Sequence, residues 1–188
     1  MRAILLTGVA GVGKTTLGRA AARQAGMDCW DYADLMLRVR PGLADKDAIG
    51  VLPWDERERT YQKVDDLLAD YFAPGDGRRT CVVLENHLSV LDGPTVRTFP
   101  HEDIGRYNAA GLAVVEATPA TVLRRRRRDG SRHRQIGTPR EVREQQGVNR
   151  IEAHLIAWEW SLPLRFISNE ERRPAISALA RWIAEVSA

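Results

Sequence analysis

The chain reads as a single α/β domain whose parallel sheet is covered by helices on both faces. Two observations predict this class. Short apolar runs alternate with longer segments of helical pattern, the signature of βαβ units. The first run also passes straight into a glycine-rich turn that opens a helix. With 188 residues, 44% hydrophobic and 28% charged, the chain has the size and balance of one ordinary globular domain.

Arg2–Thr7 is apolar throughout and bounded by Gly8, which predicts a strand buried on both faces. Lys14–Gln24 follows as a helix rich in Ala, Leu and Arg, with Gly26 as its stop. A short segment, Asp28–Asp31, leads into a helix over Tyr32–Arg38 that Pro41-Gly42 breaks. Trp54–Phe72 repeats Tyr61, Val64, Leu67, Leu68 and Tyr71 at helical spacing until Pro74-Gly75 ends it. Thr80–Leu84 is the second convincing strand. Ser89–Pro100 contains two prolines and a glycine and reads as a loop.

Leu112–Glu116 and Leu164–Ile167 are further strands. Ala120–Arg128 is a helix opened by Thr118-Pro119, and Asp129–Thr138 a polar loop with two glycines. Thr138 with Glu141 forms the capping signature of a long helix over Pro139–Trp160, and Arg172–Val186 is the last helix.

Composition excludes several classes. Cys29 and Cys81 are too few for a disulfide framework or a four-cysteine zinc site and read as buried thiols in a reducing compartment. No apolar run reaches a membrane span, and the N-terminus lacks a signal-peptide pattern, so a cytoplasmic location is expected. The net charge of +3 demands no nucleic acid, and the basic segment from 122 to 156 lacks the interleaved aromatics of an RNA-binding patch.

The glycine turn carries the chemistry. Gly8-Val9-Ala10-Gly11-Val12-Gly13-Lys14-Thr15 fits G-x-x-x-x-G-K-[ST] in full, with a strand before it and a helix after it. Such a loop curls its N–H groups into a nest for phosphate oxygens, and the helix adds its positive N-terminal end. Lys14 is expected on the β- and γ-phosphates of ATP, and the Thr15 hydroxyl on Mg²⁺. Glu85 ends the strand Cys81-Val82-Val83-Leu84 where a metal-side carboxylate belongs, acting through water.

Arg124–Arg128 are five consecutive arginines that encircle a helix, so they cannot share one solvated face. Arg132 and Arg134 lie between Gly130 and Gly137, where a closing loop brings guanidinium groups over a transferring phosphoryl.

Together GVAGVGKTT (8–16), DYADLM (31–36), DKDAIGVLP (45–53), LENH (84–87), RRRRRDGSRHRQ (124–135), EQQGVNR (144–150) and ISNEE (167–171) resemble the archaeal-type adenylate kinases. These are small P-loop nucleoside monophosphate kinases. LENH is also similar to the adenylate kinase-like ATPases of ribosome assembly. The resemblance implies a five-stranded parallel P-loop NTPase fold with an acceptor-binding segment (31–73) and a short Arg-rich lid (129–138). It implies that Gly8, Gly11, Val12, Gly13, Lys14, Thr15 and Thr16 hold ATP and Mg²⁺, and that Asn169 lies beside the adenine. Arg132 and Arg134 match lid arginines, and Asn149 and Arg150 match a pair on the following helix. A homo-oligomer is compatible with the family.

The departures concern the acceptor. Glu85 stands for the usual Asp, Ala33 for a glycine before Asp34, Gln135 for an Asp after Arg134, and Gly50 for an arginine suited to the acceptor phosphate. Arg38, Arg40 or Lys46 are the candidates to replace that arginine. Asp31, Asp34, Arg38, Lys46, His87 and Asn149 are the candidate acceptor-binding set. Three activities fit: a nucleoside monophosphate kinase, a kinase of a hydroxyl acceptor served by a carboxylate or His, and an ATP-driven switch that assists assembly.

Overall fold

The computed structural model describes residues 1–72, 81–92, 95–98, 102–130 and 136–188. Its five-stranded parallel sheet contains β1 (Arg2–Thr7), β2 (Asp28–Asp31), β3 (Cys81–Glu85), β6 (Ala109–Glu116) and β7 (Leu164–Ser168), in the order β2-β3-β1-β6-β7. The register runs Leu6 beside Glu85 and Asp31 beside Glu85, so the C-terminal ends of β1, β2 and β3 finish level. That places the glycine turn, Glu85 and Asp31 on one edge of the sheet, where ligands of open α/β sheets bind.

Helices cover both faces. α1 (Lys14–Gln24) and α8 (Arg172–Ser187) pack on one side. α2 (Tyr32–Val39), α4 (Trp54–Phe72) and α7 (Pro139–Glu159) pack on the other, and α6 (Pro119–Arg128) adds Val122 and Leu123 to the first. The period-two alternation of β1 divides the core. Ile4 and Leu6 enter the first hydrophobic cluster, Ala3 and Leu5 the second, all at most 2% exposed. This is why Arg2–Thr7 shows no polar alternation.

The long helices begin and end close to their sequence signals. Thr138 accepts from the Glu141 N–H at 3.2 Å while the Glu141 carboxylate accepts from the Thr138 N–H at 2.6 Å, completing the capping box. Asp31 caps α2 by accepting from the Ala33 N–H at 2.9 Å.

The loop expected over Ser89–Pro100 is corrected. β4 (Ser89–Asp92) and β5 (Thr95–Thr98) form an antiparallel hairpin outside the main sheet. Val90, Val96 and the threonines favour extended backbone. Two short helices also go beyond expectation: α3 (Lys46–Gly50), whose first turn Asp45 caps, and α5 (Glu102–Arg106).

On the α4 side a buried polar knot joins three elements. Asp65, 5% exposed, accepts from the Tyr32 hydroxyl at 2.6 Å and from the Tyr107 hydroxyl. Burial, with Tyr107 and Asp65 close by, pushes the Tyr32 phenol far above its ordinary range, so it stays a donor. Both cysteines are free, Cys81 buried and Cys29 half-buried. Among the described residues no helix is long and apolar enough to cross a membrane.

Candidate phosphoryl-transfer site

The glycine turn owes its shape to two close approaches. Gly11 has φ +83°, and a Cβ there would lie 2.6 Å from Cγ of Arg126. Gly13 has φ +95°, and a Cβ there would meet the Asn169 amide nitrogen at 2.8 Å. Left-handed backbone and absent side chains are both required. Gly13 precedes α1 without a side-chain cap, so the first N–H groups of that helix face the cleft with no carboxylate or hydroxyl of their own.

Three polar side chains brace the turn from behind. Arg125 donates to the Val12 carbonyl at 2.8 Å and to the Asn169 carbonyl at 2.7 Å. Arg126, 5% exposed, donates to the Ala10 carbonyl and to the Ile136 carbonyl, each at 2.9 Å. Asn169 donates to the Val12 carbonyl at 2.9 Å. Carbonyls engaged from behind leave the N–H groups free to converge on an anion.

In front of the turn, Lys14 is 5% exposed and donates to the Gly8 carbonyl at 2.7 Å, with Nζ 3.5 Å from His87 Nδ1. The Thr15 hydroxyl donates to Glu85 Oε1 at 2.6 Å. Glu85 Oε2 is buried and has no hydrogen-bond partner among the described residues. Burial raises the Glu85 carboxyl above its ordinary range, Asp31 adds to the rise, and Lys14 opposes it. A hydroxyl, a carboxylate oxygen lacking a donor and a cost for leaving that carboxylate charged fit a divalent cation held by Thr15 and, through water, by Glu85.

The cleft encloses about 810 Å³ and runs from the glycine turn to a second wall formed by Asp31, Lys46 and His87. There the Lys46 ammonium lies 2.5 Å from Asp31 and 2.7 Å from Asp34, while Arg19 reaches Asp34 at 3.6 Å. Lys14, Thr15, Thr16, Glu85, Asp31, Lys46, His87 and Asn169 are thus brought to one cleft.

Other expected residues go elsewhere. Arg38 is exposed and points to the Tyr71 hydroxyl at 3.4 Å, away from the cleft. Asn149 is 2% exposed and accepts from Ser89 at 2.8 Å, fastening the hairpin to α7. Arg150 forms a two-pronged pair with Glu116 and lies 5.0 Å over the Phe166 ring. Each side chain is committed within the fold and none lines the cleft. Asn169 does line it, and its amide also holds the turn. Arg132 and Arg134 lie outside the described residues.

Arg125 and Arg126 are the functional residues that motif reading missed. The signal was present, since five arginines in a row on a helix force at least one inward. Which one turns inward depends on where the glycine turn packs, and no motif records that.

The comparisons with known proteins agree with this geometry. A family model described as an AAA domain matches residues 7–143. The adenylate kinase of Thermoplasma volcanium is 31% identical over 187 residues, covering 95% of this chain and 96% of that one. The adenylate kinase of Thermoplasma acidophilum is 29% identical over 182 residues, covering 93% and 92%. Among solved structures, shikimate kinase from Acinetobacter baumannii superposes with a TM-score of 0.61 at 18% identity, over 99% of this chain and 92% of that one. TT1252 from Thermus thermophilus gives 0.60 at 20% identity, over 98% and 97%. Such distant structures speak for the fold alone. With its glycine turn, lysine and strand-end carboxylate in place, the chain belongs to this AAA domain family as a relative of the archaeal adenylate kinases, and it is a phosphotransferase.

Proposed function

We propose that the chain is a nucleoside monophosphate kinase that moves the γ-phosphoryl of ATP to the phosphate of a nucleoside monophosphate. One observation carries the reading: the braced phosphate turn with Lys14 and Thr15 opens into a cleft whose far wall holds a cation, Lys46. The similarity to archaeal adenylate kinases supports it.

An acceptor phosphate oxygen is already ionised, so the reaction needs no general base. Its barrier falls by positioning and by charge neutralisation. Lys14 supplies an ammonium to the β- and γ-phosphates, and the turn's N–H groups and the start of α1 hold the remaining oxygens. Thr15 and Glu85 are the groups that would hold Mg²⁺, which when bound offsets the charge of the triphosphate. We assign residues 31–73 to acceptor binding and 129–138 to a lid, in which Arg132 and Arg134 cover the transferring group.

A hydroxyl acceptor is the second reading. It is favoured because Asp31 and His87, either of which can take a proton, line the acceptor wall. ADP formation from Mg·ATP, measured with each nucleoside monophosphate in turn and with none, separates the two. Transfer to a monophosphate is expected. ATP binding without transfer to any of them refutes the first reading and moves the search to alcohols.

A further inference from the structure

The segment assigned to acceptor binding carries arginines but turns none of them toward the cleft. Arg40 is paired with Glu56 and Thr60, and Arg57 is buried on the Gly50 and Leu52 carbonyls. Arg59 is paired with Asp55, and Arg38 points to Tyr71. An acceptor phosphate, on the reading proposed above, meets no guanidinium from that segment. Among the described residues the arginines that line the cleft are Arg19, Arg125 and Arg172. Arg125 is engaged by carbonyls behind the glycine turn, and Arg172 lies within its electrostatic reach, at the Asn169 end. Arg19 is the one on the acceptor side.

Arg19 comes from α1, four residues after Thr15 and one turn along the same helix face. Gly18 lets that helix lie close to the sheet, since a Cβ there would fall 2.6 Å from Leu6 Cδ2 and 3.3 Å from Cys29 Sγ. The guanidinium then reaches the first turn of α2, where it lies 3.6 Å from Asp34. That distance is too long for a hydrogen bond, and the Arg19 side chain is 56% exposed. Asp34 also meets the Lys46 ammonium, at 2.7 Å. Two cations from separate elements, α1 and α3, thus converge on one carboxylate that is itself half exposed.

We propose that this point is the seat of the acceptor phosphate: Arg19 and Lys46 grip the phosphate, and Asp34 fills the seat until an acceptor displaces it. The two carboxylates around Lys46 have different tasks. Asp31 is fixed as the cap of α2 and, largely buried, keeps Lys46 in place. Asp34 is the replaceable partner, because water solvates it when it leaves. A phosphate monoester brings nearly two negative charges and three acceptor oxygens, against one charge and two oxygens for the carboxylate. The planar fork of arginine matches those oxygens in pairs. The arginine that Gly50 does not supply is in this way delivered by the helix that also carries Lys14 and Thr15.

Inorganic phosphate is the probe, titrated calorimetrically into the full chain saturated with Mg²⁺ and a non-hydrolysable ATP analogue. The analogue fills the glycine turn, so phosphate is not read there. A dissociation constant of about 1 mM is expected. Arg19→Gln should weaken it about tenfold and Arg19→Lys about threefold, with affinity for the ATP analogue within about twofold. Asp34→Asn removes the internal competitor and should tighten phosphate binding about fivefold. No binding to the wild type up to about 20 mM phosphate, or binding indifferent to Arg19→Gln, overturns the seat. Phosphate binding that Asp34→Asn weakens or leaves unchanged overturns the displacement of Asp34. The acceptor reading fails separately: phosphate binding that follows these variants, without ADP formation on any nucleoside monophosphate, keeps the seat and refutes the nucleotide acceptor.

Discussion

The two walls of the cleft are built differently. The donor wall is fixed by backbone: Arg125, Arg126 and Asn169 hold the Ala10 and Val12 carbonyls, and two glycines let those side chains press against the turn. The acceptor wall is fixed by charge: Lys46 sits between Asp31 and Asp34, and Asp34 is half exposed. Backbone bonds made from buried groups specify one geometry and resist change. The Lys46–Asp31 pair is largely buried, its side chains 18% and 14% exposed, but the partner Asp34 meets water, where ion pairs are weakly held and readily exchanged. The triphosphate end of the substrate is the same for every kinase of this kind, so its wall can be rigid. Acceptor choice varies, and the wall proposed to set it is made of replaceable charges.

If this contrast is right, the largest effect belongs to the donor wall. Lys14→Ala is expected to lower phosphoryl transfer by about 10³-fold or more with little change in thermal midpoint. Near-normal turnover in that variant would falsify the donor site outright. Arg126→Gln removes one guanidinium bond to the turn, at Ala10, and one to Ile136. It should cost about 2 kcal/mol in urea unfolding and reduce kcat/KM for ATP by about 10- to 100-fold. A loss of stability without any kinetic change would make Arg126 a packing residue only.

Lys46→Gln probes the other wall. It should raise KM for the acceptor about tenfold while KM for ATP stays within about twofold. Equal changes in both would mean that the walls are not independent. The smallest effect concerns Cys29, on β2 behind the acceptor wall. Burial pushes its thiol up to about 12, so at pH 8 the reactive thiolate is scarce. Labelling by a thiol reagent is therefore expected to run about 100-fold slower than for the unfolded chain. Fast labelling of native protein would show that this wall opens in solution.

The same contrast explains what could be read in the sequence. The donor wall was legible because φ values such as that of Gly13 force glycine, and because Lys14 and Thr15 follow at fixed offsets on one helix. Glu85 was legible because a strand that stays apolar to its last residue advertises the polar one that ends it. Arg38, Asn149 and Arg150 were not. Their partners Tyr71, Ser89 and Glu116 lie 33, 60 and 34 residues away, and only tertiary packing decides such pairings. The hairpin of β4 and β5 was missed for a local reason. Gly93 and Pro94 read as loop signals, but the β-branched Val90, Thr95, Val96 and Thr98 around them favour strands.

The Asp65 knot has a consequence for how the cleft closes. Its carboxylate takes hydroxyl hydrogens from Tyr32 on α2 and from Tyr107 beside β6, deep inside the protein. Swinging α2 and α4 as a hinged body would keep the Tyr32 bond but strip the Tyr107 hydroxyl from a buried acid, at a cost of about 1–3 kcal/mol. The cheaper movement belongs to the stretch between them, where five-residue α3 stands between Pro41-Gly42 and Pro53 with Lys46 at its tip. Under the proposed function, closing on the acceptor would then fall to this short stretch, with Lys46 at its start and Arg57 of α4 holding the Gly50 and Leu52 carbonyls at its far end, while the helices that flank it stay anchored.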